Sequence, residues 1–269
     1  MVDEQIQRLR DSYLDLLKQA LLGRTVGPTT LLKALDKQPD DVGEGIVAEP
    51  VHVDLADNLE GMTGVFGLPP WAMTMIGLAR MDNLEMCVRQ VIEDGVPGDL
   101  IETGVWRGGA TIFMRGILRA FDITDRRVFV ADSFEGVPAP DAEQYPADEG
   151  MQLHLWPLAV DVDEVGANFE RYGLLDDQVE FVQGWFRDTL PKLRGHQWAV
   201  IRLDGDLYES TMDALENLYD GLQPGGWLIV DDYNIIACRE AVADFRASRN
   251  IEDPIIEIDW AGICWQKTG

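Results

Sequence analysis

The sequence predicts an α/β protein: a parallel sheet covered by helices on both faces and closed by an antiparallel pair at its C-terminal end. Three observations carry this. From Gly98 onward, short apolar runs alternate with helical patterns, the order expected of βαβ units. The runs are continuously apolar, as in strands buried on both faces. The last two runs are separated only by Trp260 and Ala261, which suggests a terminal hairpin. At 269 residues the chain is long enough for one large domain with a full core plus a short extra segment.

In chain order, residues 9–22 place Leu9, Tyr13, Leu16, Leu17, Ala20 and Leu21 near helical spacing and predict an amphipathic helix. Over 23–64, Gly43, Gly45, Pro50 and scattered acids break any period, and the stretch reads as loop-rich with one short helix at most. Pro69-Pro70 introduces a second helical pattern over 71–94. Strands are expected at 99–105, 127–132, 179–184, 198–204 and 226–232. Helices are expected at 110–121, 162–173, 210–222 and 236–249, and the hairpin at 254–259 and 262–267. This organisation divides the chain into an N-terminal helix and lid segment, 1–70, and a main domain, 71–269, within one compact unit.

Composition narrows the function classes. An apolar fraction of 46% and a charged fraction of 26% are those of an ordinary globular chain. No run of about 18 apolar residues is present to span a membrane, and an N-terminus charged from its third residue does not read as a secretion signal. The net charge of −26 repels phosphate backbones and anionic lipids, which argues against nucleic acid and membrane partners. It slightly favours a cationic ligand such as a sulfonium, although solubility alone accounts for it. Cys87, Cys238 and Cys264 form no C-x-x-C pair and are read as buried free thiols of a cytoplasmic protein.

The first strand runs into Glu102-Thr103-Gly104-Val105-Trp106-Arg107-Gly108-Gly109 before a helix begins. Glycines here permit a tight turn and close backbone approach to a ligand, and the helix N-terminus offers N–H groups to an anionic group such as a carboxylate. Trp106 stands where a dinucleotide fingerprint would have its second glycine, so the pattern is the E-x-G-x-x-x-G form seen in methyltransferases. Asp132, ending the second strand, can accept both ribose hydroxyls of a nucleoside; with Ser133 and Gly136 following, it can also be a turn aspartate. Gln183-Gly184-Trp185-Phe186 follows the third strand on the adenine side, with Trp185 equally able to be plain core.

The most specific feature is the pairing of 202–211, RLDGDLYEST, with Val230-Asp231-Asp232-Tyr233. Asp204 ends one strand, and Asp231 and Asp232 end the next. If the strands are neighbours, three carboxylates converge where like charges repel, and a divalent cation relieves the repulsion. All-oxygen ligation points to magnesium; His52, His154 and His196 are too scattered for a zinc site. Single aspartates at such positions are also common helix caps. A cation that holds a hydroxyl makes it more acidic. Asp206, two residues beyond Asp204, is the expected base, with His154 as the competing candidate.

Five parallel strands and a late antiparallel pair match the seven-stranded architecture of class I methyltransferases, an analogy at the level of fold. The residues also resemble the macrocin O-methyltransferases, whose relatives act on mycinamicin and novobiocin sugars. The stretches that carry the resemblance are 13–21, 74–85, 102–111, 131–138, 184–191, 202–211 and 229–233. It implies magnesium held by Asp204, Asp231 and Asp232 and a catalytic role for Asp206. It also implies an S-adenosylmethionine pocket lined by Thr74, Met75, Glu102, Thr103, Gly104, Val105, Arg107, Gly108, Asp132 and Ser133. Gly184, Trp185 and Asp204 complete the expected cofactor wall. The implied activity is methylation of a deoxysugar hydroxyl on a glycosylated natural product, by a homodimer or larger homo-oligomer. A catechol-type methyltransferase is the alternative, with Trp106, Phe134 and Trp156 as candidate stacking walls. Residues 24–62 and 139–160 fall outside the pattern and are expected to cover the acceptor.

Overall fold

The fold is seen in a computed structural model that describes residues 2–25 and 71–269. The lid expected over 24–62 and the boundary at residue 70 lie outside the described residues, apart from Arg24 and Thr25. Five strands run parallel: β1 (Asp99–Thr103), β2 (Val128–Asp132), β3 (Val179–Gln183), β4 (Trp198–Leu203) and β5 (Leu222–Val230). β6 (Ile256–Glu257) and β7 (Ile263–Gln266) form the antiparallel pair, and β7 inserts beside β5 to give the order β3-β2-β1-β4-β5-β7-β6. The expected five parallel strands with a C-terminal hairpin are what form.

The central strands β1, β2 and β4 are buried on both faces and carry no polar alternation, whereas the edge strand β3 is only partly buried, with Glu180 and Gln183 exposed. All six residues of β4 are buried, and in β2 only Asp132 is partly exposed. On one face, α1 (Val2–Leu21), α2 (Leu78–Glu93), α3 (Gly109–Ala120) and α4 (Val162–Arg171) supply Leu14, Leu17, Leu84, Val88, Phe113, Ile117 and Phe169 to the core. A short α5 (Phe186–Thr189) follows β3, where periodicity predicts no helix. On the other face, α6 (Tyr208–Leu218) and α7 (Ile236–Arg249) pack Leu215, Leu218, Val242 and Phe245 against Trp198, Ile201 and Leu228. Each such side chain removed from water contributes about 1.5–3 kcal/mol.

Two boundaries differ from expectation for reasons that bear on the site. The pattern over 71–94 becomes helical only at Leu78. Before it, Met73 donates its N–H to Leu21 O (2.8 Å) and accepts the N–H of Gly109 (2.9 Å), so 71–77 is a bridge between α1 and the start of α3. β1 stops at Thr103, not at 105, because Gly104 turns with φ 87° against β4. A Cβ there would lie 1.7 Å from Asp204 O, so only glycine fits. The three cysteines are free and buried, as expected. Among the described residues no helix is long and apolar enough to cross a membrane.

Candidate active site

The strand order reverses between β1 and β4, the place where open α/β sheets hold their ligands. A cleft of about 930 Å³, measured out to its open mouth, lies there. The backbone builds its floor. Asp204 donates its N–H to Thr103 O and Asp231 to Leu203 O, each at 2.9 Å, so the ladders run one residue past the strands and bring the acids abreast. β4 and β5 are indeed neighbours. Oxygens of Asp204, Asp231 and Asp232 lie within 4.8 Å of one another.

Asp206 stands beside them in left-handed backbone, φ 60°. Its N–H donates to Asp232 Oδ2 (3.1 Å), and Leu207 N–H folds back on Gly205 O (2.6 Å). A non-glycine residue held so is strained, and the surrounding bonds hold it in place. Burial, then the charges of Asp204 and Asp231, push the Asp206 carboxyl up to about 7. Burial also raises Asp231 to about 6 despite Arg202, and raises Asp232 well above the usual carboxylate range with Asp206 and Asp204 adding to it. Glu102 rises to about 8, chiefly through burial, with Arg202 pulling the other way.

Two buried guanidinium groups organise these acids. Arg202 bonds Glu102, Asp231 and, at 2.7 Å, Asp204. Arg80 of α2 bonds the other oxygen of Asp231 and, at 3.0 Å, Asp259 in the hairpin turn. Asp231 is therefore oriented from both sides before any ligand arrives. Four carboxyl groups (Glu102, Asp204, Asp231 and Asp259) pair with these two guanidinium groups, and Asp206 and Asp232 stand beside them with no guanidinium partner among the described residues, so acidic groups remain in excess. An all-oxygen donor set with unrelieved repulsion fits a hard divalent cation, and the partly exposed Asp204 leaves the set open to the cleft.

The side of the cleft expected to take the cofactor is built around Asp132. Its oxygens accept the N–H groups of Val105 and Phe134, both at 2.7 Å, clasping the loops after β1 and β2. Asp132 is thus the turn aspartate of its alternative reading and a cleft wall at once. Ser133 donates to Gly136 O (2.8 Å). Of the residues expected at the site, Thr74, Met75, Glu102, Gly104, Val105, Asp132, Ser133, Trp185, Asp204 and Asp206 line the cleft. Thr103, Arg107, Gly108, Gly184, Asp231 and Asp232 do not line it: Thr103 and Asp231 are buried, while Arg107, Gly184 and Asp232 are partly exposed beside it.

Gly109 N–H, a donor expected to be free for an anion, is taken by Met73 O. Arg107 donates to Ala72 O (2.9 Å) and stacks over Trp106. His154 is exposed in a turn over Leu153–Leu155 and does not line the cleft. Of the candidate aromatic walls only Trp106 faces it; Phe134 is buried against Phe181, and Trp156 lies exposed outside.

Phe186, expected with Trp185 on the adenine side, also lines the cleft, whereas sequence reasoning assigns no role to Arg202 or Arg80, nor to the cleft residues Arg187, Glu209 and Asp213. A signal existed for Arg202: it stands in an otherwise apolar strand, and Glu102 is its register partner in β1.

Comparison with known proteins agrees with this fold. The Macrocin-O-methyltransferase (TylF) family profile matches residues 10–267. An 8-demethyl-8-(2,3-dimethoxy-alpha-L-rhamnosyl)-tetracenomycin-C 4'-O-methyltransferase of Streptomyces olivaceus is 52% identical over 262 residues, 96% of this chain and 94% of its own. A mycinamicin III 3''-O-methyltransferase of Micromonospora griseorubida is 45% identical over 260 residues, covering 95% and 96%. The solved structure of the O-methyltransferase NovP superposes with a TM-score of 0.81 at 44% identity, over 97% of this chain and 100% of that one.

Proposed function

The chain belongs to the macrocin O-methyltransferase family, and from that premise we propose that it methylates a deoxysugar hydroxyl of a glycosylated natural product, with S-adenosylmethionine and magnesium. The observation that carries this reading is the convergence of Asp204, Asp231 and Asp232 beside Asp206 at the cleft floor. S-adenosylmethionine supplies an electrophilic methyl group when bound, and magnesium lowers the pKa of a hydroxyl it holds.

The chain's own residues do the rest. Glu102, Asp132, Asp204, Asp206, Glu209 and Asp213 line the cleft against one guanidinium, Arg187, a field that suits a sulfonium. Glu102 Oε2 is buried without a hydrogen-bond partner among the described residues, an acceptor for an ammonium group. Asp132 and Ser133 offer the ribose edge, and Trp185 the adenine side. Asp204, Asp231 and Asp232 would hold the cation. Asp206 takes the hydroxyl proton on its carboxylate; a base raised to about 7 is matched to neutral pH. The remaining gain is alignment of oxygen, methyl carbon and sulfur by fixed walls.

The same reading extends to assembly and place. Ile6, Leu9, Tyr13 and Leu16 lie exposed on α1 at alternating three- and four-residue spacing, with Leu9 and Leu16 65% and 64% exposed. An apolar seam of this kind supports a homodimer or larger homo-oligomer. Three reduced thiols suit the cytoplasm.

The test is mass-detected methyl transfer from S-adenosylmethionine to a panel of demethylated rhamnosides on natural-product scaffolds, the free sugars and catechol. A one-methyl gain on a scaffold-bound sugar is expected. Transfer to catechol alone would overturn the reading.

A further inference from the structure

The segment 139–160 and the start of α6 meet at one buried carboxylate. α6 begins at Tyr208 after Leu207, whose side chain cannot cap it. Its first two amides donate instead to Asp148, Tyr208 N to Oδ1 at 2.7 Å and Glu209 N to Oδ2 at 3.1 Å. Asp148 is fully buried, 60 residues upstream of the helix it caps. A carboxylate at this position satisfies two orphan donors and complements the helix dipole. A one-turn 3₁₀ helix, Pro146–Asp148, presents it, closed by Asp148 N–H to Tyr145 O (3.0 Å) and Met151 N–H to Asp148 O (3.1 Å). The Tyr145 ring lies 6.1 Å from that of Tyr208, whose hydroxyl donates to Asp244 of α7 (3.0 Å).

What Asp148 joins are two walls of one cleft. The chain on either side of its turn supplies Gly136, Val137, Pro138 and Leu158 to the lining. The helix it caps supplies Glu209, Ser210 and Asp213, and starts two residues after Asp206. We propose that Asp148 is a positioning residue: by clasping 133–160 to the N-terminus of α6 it sets the acceptor side of the cleft and the placement of Asp206 together. The cofactor side is fixed separately, by the Asp132 clasp on Val105 and Phe134. Loss of the Asp148 clasp therefore acts on acceptor recognition and leaves cofactor binding in place. A displacement of one wall by about 1 Å suffices to cost a large factor in rate.

This inference rests on the sugar O-methyltransferase reading, and its test separates the two. In Asp148→Ala and the milder Asp148→Asn, three quantities are measured. They are acceptor KM and kcat on whichever demethylated rhamnoside the wild type methylates best, S-adenosylhomocysteine affinity by calorimetry, and amide hydrogen exchange over 133–160 and 204–213. The clasp predicts that acceptor KM rises about tenfold or more in Asp148→Ala, with partial rescue in Asp148→Asn, while S-adenosylhomocysteine affinity stays within about twofold. Exchange quickens in both segments together. A lowered Tm with unchanged KM and kcat would make Asp148 merely structural and overturn the proposal, as would an equal loss of S-adenosylhomocysteine affinity. If Asp148→Ala does not fold, Asp148→Asn decides by the same criteria. A wild type that methylates no glycoside fails the functional reading; exchange then decides the clasp, and quickening confined to one segment, or absent, overturns it.

Discussion

The role proposed for Asp206 depends on its backbone as much as on its carboxylate. Left-handed φ is tolerated by aspartate and asparagine more readily than by other side chains, so Asp206→Asn keeps the turn and the N–H to Asp232 while removing the base. We expect kcat to fall by about 10²–10⁴ with S-adenosylhomocysteine affinity unchanged, read by steady-state kinetics and calorimetry. Loss of both would place Asp206 among the binding residues. At this scale the acids were legible because Asp204, Asp231 and Asp232 close predicted strands, where side chains face the ligand edge of a sheet, and Asp206 follows two residues beyond Asp204. The guanidiniums were not. Arg80 comes from a helix about 150 residues away from Asp231, and no local pattern announces that contact. Asp132 was legible as an acid at the right strand end and as a turn aspartate, the role its bond to the Phe134 amide fills, but its second amide, Val105, comes from the loop after β1, 27 residues away, which no local pattern announces.

Helices and strands declare themselves by period, and their connections by contacts the period does not contain. β1, β2 and β4 lie close to where apolar runs predict them, because two-sided burial demands such runs, and α7 follows its helical period, whereas β5 begins at Leu222, inside the stretch expected to be helix. The bridge over 71–77 reads as helix in sequence and is held out of helix by Met73, whose backbone serves Leu21 and Gly109. α5 is one turn long, too short for periodicity to register.

A long-range tie of the same kind joins α3 to the loop before β3. Buried Arg115 bonds both oxygens of Asp176, one at 3.0 Å, and the guanidinium holds the Asp176 carboxyl below its ordinary 3.8. A depressed carboxylate contributes stability that is present above 3.8 and lost as pH falls through the lower folded value. Asp176→Asn should therefore cost about 1 kcal/mol in urea unfolding at pH 7, discounted because Asp176 is 36% exposed. The difference should fade as pH drops below 3.8; a constant difference would show that charge is not its source.

For the whole molecule, fold class and strand content were legible from alternation alone, whereas the proposed assembly rests on a surface whose meaning appears only when exposure is known. In sequence, Leu9, Tyr13, Leu16, Leu17 and Leu21 read as one amphipathic stripe. In the structure Leu17 and Leu21 face the core, while Leu9, Tyr13 and Leu16 face outward. Leu9→Lys with Leu16→Lys should shift the species seen by sedimentation from dimer or larger to monomer without lowering the unfolding midpoint of the monomer. An unchanged oligomer would locate the interface elsewhere.

The cation gathered by Asp204, Asp231 and Asp232 is the claim on which the chemistry turns, and calorimetric titration of magnesium into the S-adenosylhomocysteine-loaded protein and into Asp204→Asn tests it most directly. The account predicts saturable binding at one site per chain, weakened at least tenfold in the variant, the loss of a charged ligand oxygen being worth about 1.5–3 kcal/mol. Equal binding by both proteins, or no binding by the wild type, would contradict it.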